Sequence, residues 1–123
     1  MHTIEPATEI TRWLNEHPPQ PGVQASTNVP EERQGKFVTV ERTGGQTALL
    51  RDDATLAIDA YADSSVNAMQ LARDILDSLE LMAYQHPAIA DIGVQSLYNN
   101  PEPDGSRQPR ATLNVRLTIA PTL

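Results

Sequence analysis

The sequence predicts an α+β domain, in which a short N-terminal helix and one long helix pack on one face of a β-sheet. The sheet is expected to be largely antiparallel or mixed, with about four to five strands. Residues 112–119 alternate strictly between polar and apolar side chains, which is typical of a strand with one buried face. Residues 68–82 repeat apolar side chains along one helical stripe, and such a helix needs a flat partner. The length of 123 residues suits a single domain spanning residues 1–123.

The first predicted element is a short amphipathic helix. Ile10, Trp13 and Leu14 fall at positions i, i+3 and i+4 and therefore share one face. Pro18-Pro19 ends the helix. We interpret Trp13 as a core residue or a subunit contact rather than a ligand-stacking residue. An alternating run over Val23–Val29 then predicts a short strand.

A strand and a turn are predicted next. Lys36–Arg42 is rich in β-branched residues and predicts a strand. Thr43–Gln46 is predicted to be a turn, because its paired glycines, Gly44 and Gly45, reach backbone angles that other residues avoid. A phosphate-binding loop is disfavoured there, because neither a Lys-Ser/Thr pair nor an obvious helix follows.

The strand over residues 55–61 leads into the long helix. Its apolar side chains lie on one face, and Asp59 and Tyr61 lie on the other. One of residues 63–65 is expected to cap the helix that follows. The apolar stripe of this helix comprises Ala68, Leu71, Ala72, Ile75, Leu76, Leu79 and Met82.

Two strands and a long loop are predicted to complete the chain. Ile89–Asn99 predicts a strand with Ile92, Val94 and Tyr98 on one face. The polar loop over residues 99–109 contains three prolines and exceeds the usual hairpin length, and loops of this kind are commonly functional.

Charge and composition exclude several classes of function. The chain carries 16 acidic residues against 9 basic ones, a net charge of −7, and no cysteine. Only Arg107 and Arg110 lie close together among the basic residues, so sequence-specific binding of nucleic acid is not expected. Apolar runs are short and the start lacks the features of a signal peptide, so neither a membrane segment nor secretion is expected.

No motif predicts an enzyme, a cofactor or a metal site. The three histidines lie outside metal-binding motifs and are expected to be solvated or to cap helices. Asp59 and Asp63 could hold a hard cation or supply a general base. A simpler interpretation is that the acids at residues 52–53 lie in a solvated turn, that Asp59 lies on an exposed strand face, and that Asp63 caps a helix. Residues 100–105 match half of a calcium-binding loop, but its twelfth position falls on Ala111.

Three short motifs are distributed along most of the chain. They are Arg42-Thr43-Gly44-Gly45, Tyr61-Ala62-Asp63 before the alanine-bearing helix, and Asn100-Pro101-Glu102-Pro103-Asp104. With the order of predicted elements, they give a sequence that resembles the small tail terminator (tail completion) proteins of long-tailed bacteriophages and prophages, particularly those of actinobacterial hosts. The resemblance covers the chain from about Pro30 to Ile119.

The resemblance implies a structural virion protein and not an enzyme. Tail terminators form a ring, usually a hexamer, on the last ring of the tail tube, where they stop polymerisation and present the surface that joins the head. The implied partners are further copies of the chain, the major tail tube protein and the head–tail connector protein. The implied location is the virion tail, assembled in the host cytoplasm. Such a ring closes through a heterologous interface, in which two different surfaces of the subunit meet.

Candidate residues for these contacts come from exposed strand faces, the predicted glycine turn and the long loop. We expect the strand residues to contact other subunits, and the turn and the loop to dock on the tube or the connector. The candidates are Gly44, Gly45, Asp59, Tyr61, Asn99, Asn100, Asp104, Arg107, Arg110, Thr112 and Arg116.

Three other functions fit the same sequence. A head–tail connector, or another ring-forming tail component, shares the small α+β subunit. A small enzyme or ligand-binding domain would use Asp59 and Asp63 in a cleft, and specific thermal stabilisation by a metal or ligand would reveal it. A monomeric adaptor would bind a peptide by adding a strand to an exposed sheet edge.

Overall fold

The computed structural model describes residues 5–33, 35–103 and 107–120. These residues form two helices and five strands, which confirms the predicted α+β fold. In chain order the elements are α1 (Pro6–Glu16), β1 (Ala25–Ser26), β2 (Phe37–Ala48), β3 (Arg51–Tyr61), α2 (Ser65–Gln85), β4 (Ile89–Asn99) and β5 (Arg110–Ile119).

The five strands form one mixed sheet in the order β1-β2-β3-β5-β4. The four long strands run antiparallel to their neighbours, and β1 pairs in parallel with β2 through two residues. The helices contact each other and pack on the same face of the sheet. The central strands β3 and β5 bury their apolar side chains under the helices, namely Ala54, Leu56, Ile58, Ala60, Leu113, Val115, Leu117 and Ile119.

Helix α2 begins and packs as its sequence predicts. The Ser64 hydroxyl caps it by accepting a hydrogen bond from the Asn67 amide (3.1 Å). Leu76 is partly buried at the side of the stripe. Among the residues that the structure describes, neither helix combines the length and apolar character needed to cross a membrane. The buried stripe residues are Ala68, Leu71, Ala72, Ile75, Leu79 and Met82.

Helix α1 is fixed to α2 through Trp13. The Glu5 carboxylate caps α1 by accepting a hydrogen bond from the Ala7 amide (3.2 Å). The Trp13 indole N–H donates to the backbone carbonyl (3.1 Å) and the hydroxyl (3.0 Å) of Ser78. The His17 ring stacks on the indole with centroids 3.8 Å apart. Trp13 is therefore a core residue that joins the two helices.

Two histidines lie at the C-terminal ends of the helices, as the sequence predicts. His17 ends α1 and His86 ends α2. The Ala88 amide hydrogen-bonds Nδ1 of His86 (3.2 Å), and Nε2 of the ring hydrogen-bonds the Glu9 carboxylate (3.0 Å). This contact ties the end of α2 to α1. His2 lies outside the described residues.

Strand β1 is shorter than the predicted strand over Val23–Val29, because the chain bends after Ser26 and only Ala25 and Ser26 pair with β2. The Asn15 amide group bonds both the N–H and the carbonyl of Ala25 (2.8 and 2.9 Å). After Ser26 the chain bends, and the Ser26 hydroxyl donates to the Asn28 carbonyl (2.5 Å). The outer side of β1 is thus already occupied by α1.

The predicted turn at Thr43–Gln46 is wrong. Strand β2 continues through it, and the chain reverses at residues 49–50 instead. A β-bulge between Arg42 and Gly44 adds one residue to β2. Gly45 has a φ of +104°, so the conformational freedom that the glycines signal serves a bulged strand rather than a turn.

Strand β4 spans the predicted Ile89–Asn99, but one side chain lies on the other face. The pairing with β5 shifts by one residue after Val94. Ile92 and Val94 lie opposite buried residues of β5, on the helix side, whereas Tyr98 lies opposite Thr112 on the other side. A single extra residue inverts the alternation beyond it, which explains the difference.

An ion pair lies on the helix side near the tip of the β2–β3 hairpin. Arg42 donates two hydrogen bonds of 2.7 Å to the Asp52 carboxylate, and the Thr47 hydroxyl donates another (3.1 Å). The Arg42 hydrogen bonds lower the pKa of Asp52 and outweigh burial, which acts to raise it. Asp52 is therefore a buried strand residue and not part of a solvated turn.

We expect the contribution of Asp52 to stability to depend on pH. Because folding lowers its pKa, ionised Asp52 stabilises the fold above about pH 4, its usual pKa, and this stabilisation is lost as the pH falls through the lowered folded value. Asp52→Asn should lower the free energy of unfolding by about 1–2 kcal/mol at neutral pH. Urea denaturation should show a much smaller loss near pH 2.5. Asp77→Asn, at an exposed position of α2, is the control, and an equal loss for Asp52→Asn at both pH values would contradict this account.

Candidate interaction surface

The candidate site is the sheet face that points away from the helices, which we call the open face. Alternate residues of the four long strands supply its side chains, and they pair in rows across the sheet. Polar residues predominate, so the face is more hydrophilic than the helix side. The rows are Phe37, Tyr61 and Arg110; Thr39, Asp59, Thr112 and Tyr98; Glu41, Ala57, Asn114 and Ser96; Gly44, Thr55, Arg116 and Gly93; and Gln46, Asp53, Thr118 and Asp91.

At one end of the open face, hydrogen bonds join two strands and a loop. The Thr112 hydroxyl donates to the Asp59 carboxylate (2.6 Å) and accepts from the Asn100 side-chain amide (3.1 Å). Thr112 is buried, and Asp59 and Asn100 are half-buried. The network therefore holds these side chains in fixed orientations.

Arg110 completes this group, which we call the upper cluster: Asp59, Tyr61, Asn100, Arg110 and Thr112. The Arg110 Nε donates to the Asn100 carbonyl (2.8 Å), and the guanidinium lies 5.8 Å from the centroid of the Tyr61 ring. A carboxylate oxygen of Asp59 lies 4.0 Å from the Arg110 Nη1. Burial acts to lower the pKa of Arg110, but the Tyr61 hydroxyl and the Asp59 charge outweigh it and raise that pKa. The cluster thus holds a charged guanidinium against an aromatic ring.

Two loops meet at the same end of the sheet. The Phe37 ring stacks on Tyr61 with centroids 4.2 Å apart, and both side chains are almost fully buried. Arg33, before β2, forms an ion pair with Glu102, after β4. One of its hydrogen bonds joins Arg33 Nη2 to Glu102 Oε1 at 2.8 Å. The segments before β2 and after β4 therefore both hold residues next to the upper cluster in place.

The opposite end of the open face forms a shallow depression of about 570 Å³. Arg51, Arg116, Asp53 and Asp91 line it, so both signs of charge are present. The Thr118 hydroxyl (2.7 Å) and the Arg51 guanidinium (3.1 Å) hydrogen-bond to Asp53 and lower its pKa. Arg116 is exposed. This end of the open face therefore offers charged groups of both signs to a partner that binds against the sheet.

The structure brings most of the predicted contact residues onto the open face. Five of the eleven form the upper cluster, which the sequence did not predict as a unit. Gly44 and Arg116 lie on the same face, in a row nearer the depression. Sequence reasoning missed Tyr98, which is exposed on this face, because no signal in the sequence marks the bulge that precedes it.

The other four predicted contact residues are placed differently. Gly45 pairs with the buried Ala54, but its backbone lines the depression on the open face. Asn99 pairs with the buried Ala111 and therefore lies on the helix side of the sheet. Arg107 is exposed in the loop before β5, with a φ of +47°. Asp104 lies outside the described residues.

The four acidic residues considered for a cation site do not converge. Asp52 bonds Arg42, Asp53 bonds Thr118, and Asp59 bonds Thr112. Asp63 accepts a hydrogen bond from the Asn67 side chain (2.7 Å), which lowers the pKa of Asp63. Within residues 5–33, 35–103 and 107–120, no three His, Cys, Asp or Glu side chains are close enough together to hold a metal ion.

Comparison with known proteins leaves the open face as the main guide to function. The chain matches no model of a known protein family and no curated protein sequence. The structural evidence for function therefore comes from the arrangement of the sheet, its two sides and its charged groups.

Proposed function

We propose that this chain is a structural protein that caps a phage tail tube as a ring, stopping polymerisation of the tube and forming the surface that joins the head. Its partners in this proposal are further copies of itself, the major tail tube protein and the head–tail connector protein. The resemblance of the sequence to tail terminators supports the proposal. The exposed polar side chains of the open face support it independently.

The observation that carries the proposal is the accessibility of the sheet. Helices cover one face of the sheet. On the open face, Glu41, Gln46, Asp91, Tyr98 and Arg116 are exposed, whereas Phe37, Thr39, Tyr61, Thr112 and Thr118 are buried. The upper cluster holds its polar groups in place with internal hydrogen bonds, so this surface is ordered before it meets a partner. An ordered surface of polar side chains suits contact with another protein, since little side-chain entropy is lost on docking.

The uncovered strand β4 also suits a second candidate, an adaptor that binds an extended peptide. The two candidates differ in what the chain does with copies of itself. Native mass spectrometry with assembled tube protein should detect ring-sized assemblies if the chain caps a tube. A chain that stays monomeric on the tube but binds an extended peptide would favour the adaptor.

The proposal is tested by complementation of a phage or prophage that lacks the coding region. Electron microscopy should show overlong tails without the protein and normal tails when the unaltered chain is supplied. Arg116→Glu reverses an exposed charge on the open face, and Arg73→Glu makes the same change on the outer side of α2. We expect Arg73→Glu to restore tail length fully and Arg116→Glu to restore it poorly, while both variants keep the melting temperature. Tails of unchanged length and full infectivity in the absence of the protein would refute the proposal.

A further inference from the structure

We propose that copies of this chain join edge to edge, with β4 of one copy pairing antiparallel with the free part of β2 in the next, so that the sheet continues from subunit to subunit. This inference rests on the proposed ring and names the surface that builds it. Four features of the sheet carry it: strand direction, outward backbone groups, small side chains at both edges, and a half-exposed valine.

Strand direction makes the two sides of the sheet complementary. The four long strands alternate in direction, so β2 and β4 run in opposite directions. When a second copy is set beside the first in the same plane, with its helices on the same side, its β2 lies antiparallel to β4 of the first. The alternation thus continues without interruption. One side of the subunit meets a different side of its neighbour, which is the heterologous contact that a closed ring needs.

The outward backbone groups of β4 follow from two hydrogen bonds. The Asn100 amide donates to the Arg110 carbonyl (2.8 Å) and the Ala120 amide to the Ala88 carbonyl (3.0 Å). Strand β5 pairs with β3 without a bulge, so its even-numbered residues bond β4 throughout. The β4 residues that pair with residues 112, 114, 116 and 118 therefore direct their backbone N–H and C=O groups inward, towards β5. The residues of β4 between them, Ile92, Val94, Leu97 and Asn99, direct their backbone groups outward.

The same reasoning applies to β2. The Val38 amide donates to the Gln24 carbonyl (3.0 Å), so Val38 directs its backbone groups towards β1 and away from β3. Beyond the bulge, Gly44 and Gln46 pair with β3 residues whose backbone N–H and C=O groups point towards β2. The backbone groups of Gly45 and Thr47 therefore point outward, away from β3. Strand β1 covers only residues 38 and 39 of β2, and Asn15 occupies the outer side of β1. Among the described residues, the free edge is therefore the stretch of β2 beyond β1.

Side chains leave room for the approach of a second copy. The free stretch of β2 carries Gly44 and Gly45, and β4 carries Gly93 and Ser96. Neither stretch contains lysine or proline, although each carries a bulge and charged residues, namely Glu41 and Arg42 on β2 and Asp91 on β4, which also limit edge pairing. Val94 is 51% exposed on the helix side of β4, and a neighbouring strand would cover it. A second copy fits this edge because every copy carries both strands of the contact, β4 on one side of its sheet and the free stretch of β2 on the other.

The absence of cysteine from the natural sequence makes a direct cross-linking test possible. Ser96→Cys on β4 is combined with Gln46→Cys or with Ala48→Cys on β2, so that two registers in which β4 does not meet β1 are sampled. A short bis-maleimide is added to the purified chain at high concentration and to tails capped with it. We expect a ladder of covalent oligomers that ends at one closed size, from the double variants only. Ser96→Cys combined with Tyr84→Cys, at an exposed position of α2, is the control and should give no ladder.

Each alternative outcome overturns the inference in a recognisable way. A covalent dimer from Ser96→Cys alone would mean that β4 pairs with itself. Absence of a ladder from tails that the double variants cap at normal length would reject the edge contact and leave the proposed function standing. Tails of normal length without any copy of the chain would reject the proposed function itself.

A backbone test complements the cross-links. Val94→Pro removes one outward N–H next to the bulge of β4, a position where proline is tolerated, while Val94→Ala keeps that N–H. We expect Val94→Pro to abolish the ladder and Val94→Ala to retain it, with the same circular dichroism spectrum for both. A full ladder from folded Val94→Pro would overturn the edge contact.

Discussion

Trp13→Ala should lower the free energy of unfolding by about 3–5 kcal/mol, one of the largest effects of any single substitution in this chain. The indole fills the space between α1 and α2 and is almost fully buried. Its removal leaves a cavity, ends the stacking with His17, and takes the hydrogen-bond donor from Ser78. Urea denaturation followed by circular dichroism measures the loss.

Two companion variants separate the causes of this loss. Trp13→Phe keeps an aromatic ring but has no N–H for Ser78, so it should lose about 1–2 kcal/mol. Tyr84→Ala removes an aromatic ring that is 91% exposed and should change the free energy of unfolding by less than about 0.5 kcal/mol. A loss for Trp13→Ala as small as that for Tyr84→Ala would mean that α1 contributes little to the fold.

Gly45→Ala is expected to be almost as damaging, although it adds one methyl group. A Cβ at this position would lie 2.0 Å from the carbonyl oxygen of Asp53 and 2.8 Å from the Cα of Ala54, and backbone atoms cannot move aside cheaply. The φ of +104° adds conformational strain for alanine. We expect a loss of about 2–4 kcal/mol, which corresponds to a melting temperature lower by roughly 8–16 °C.

Other glycines provide the matched controls for Gly45. Gly22 has a φ of +77° but open space around it, so Gly22→Ala measures the conformational strain without the clash. Gly35 has neither constraint, and Gly35→Ala should be close to neutral. If Gly45→Ala and Gly22→Ala cost the same, the close approach of β2 to β3 at the bulge would not be the cause.

Periodic segments made most of the fold predictable. The alternation over residues 112–119 and the stripe of α2 depend only on which side chains are apolar, and both are found as predicted. Strand β3 likewise buries the predicted face, with Asp59 and Tyr61 on the other side. Hydrophobic burial dominates in these segments, so local pattern and tertiary packing agree.

Irregular backbone accounts for what the sequence did not predict. A bulge and a turn both use glycine, so Gly44 and Gly45 could not distinguish them. The outer side of β1 is occupied by the Asn15 side chain, which lies ten residues away from Ala25 in the sequence. The reversal at residues 49–50 uses two leucines, which no turn rule would select.

The open face was predictable in composition but not in arrangement. Alternation alone predicted exposed strand faces for Asp59, Tyr61, Thr112 and Arg116. The structure leaves only Arg116 exposed, since Asp59 is half-buried and Tyr61 and Thr112 are buried. The joining of Asn100 and Arg110 to them depends on the register of β3 with β5 and on the path of the loop after β4. Register is a tertiary property, set by pairing over the whole strand, so the upper cluster emerges only in the folded chain.

The length distribution of tails assembled without this protein tests the central claim most directly. Electron micrographs of lysates from a phage or prophage lacking the coding region give that distribution. If the chain caps the tube, tails should be broadly distributed and many should exceed the normal length, with few joined to heads. A single normal length, with heads attached as usual, would contradict the account.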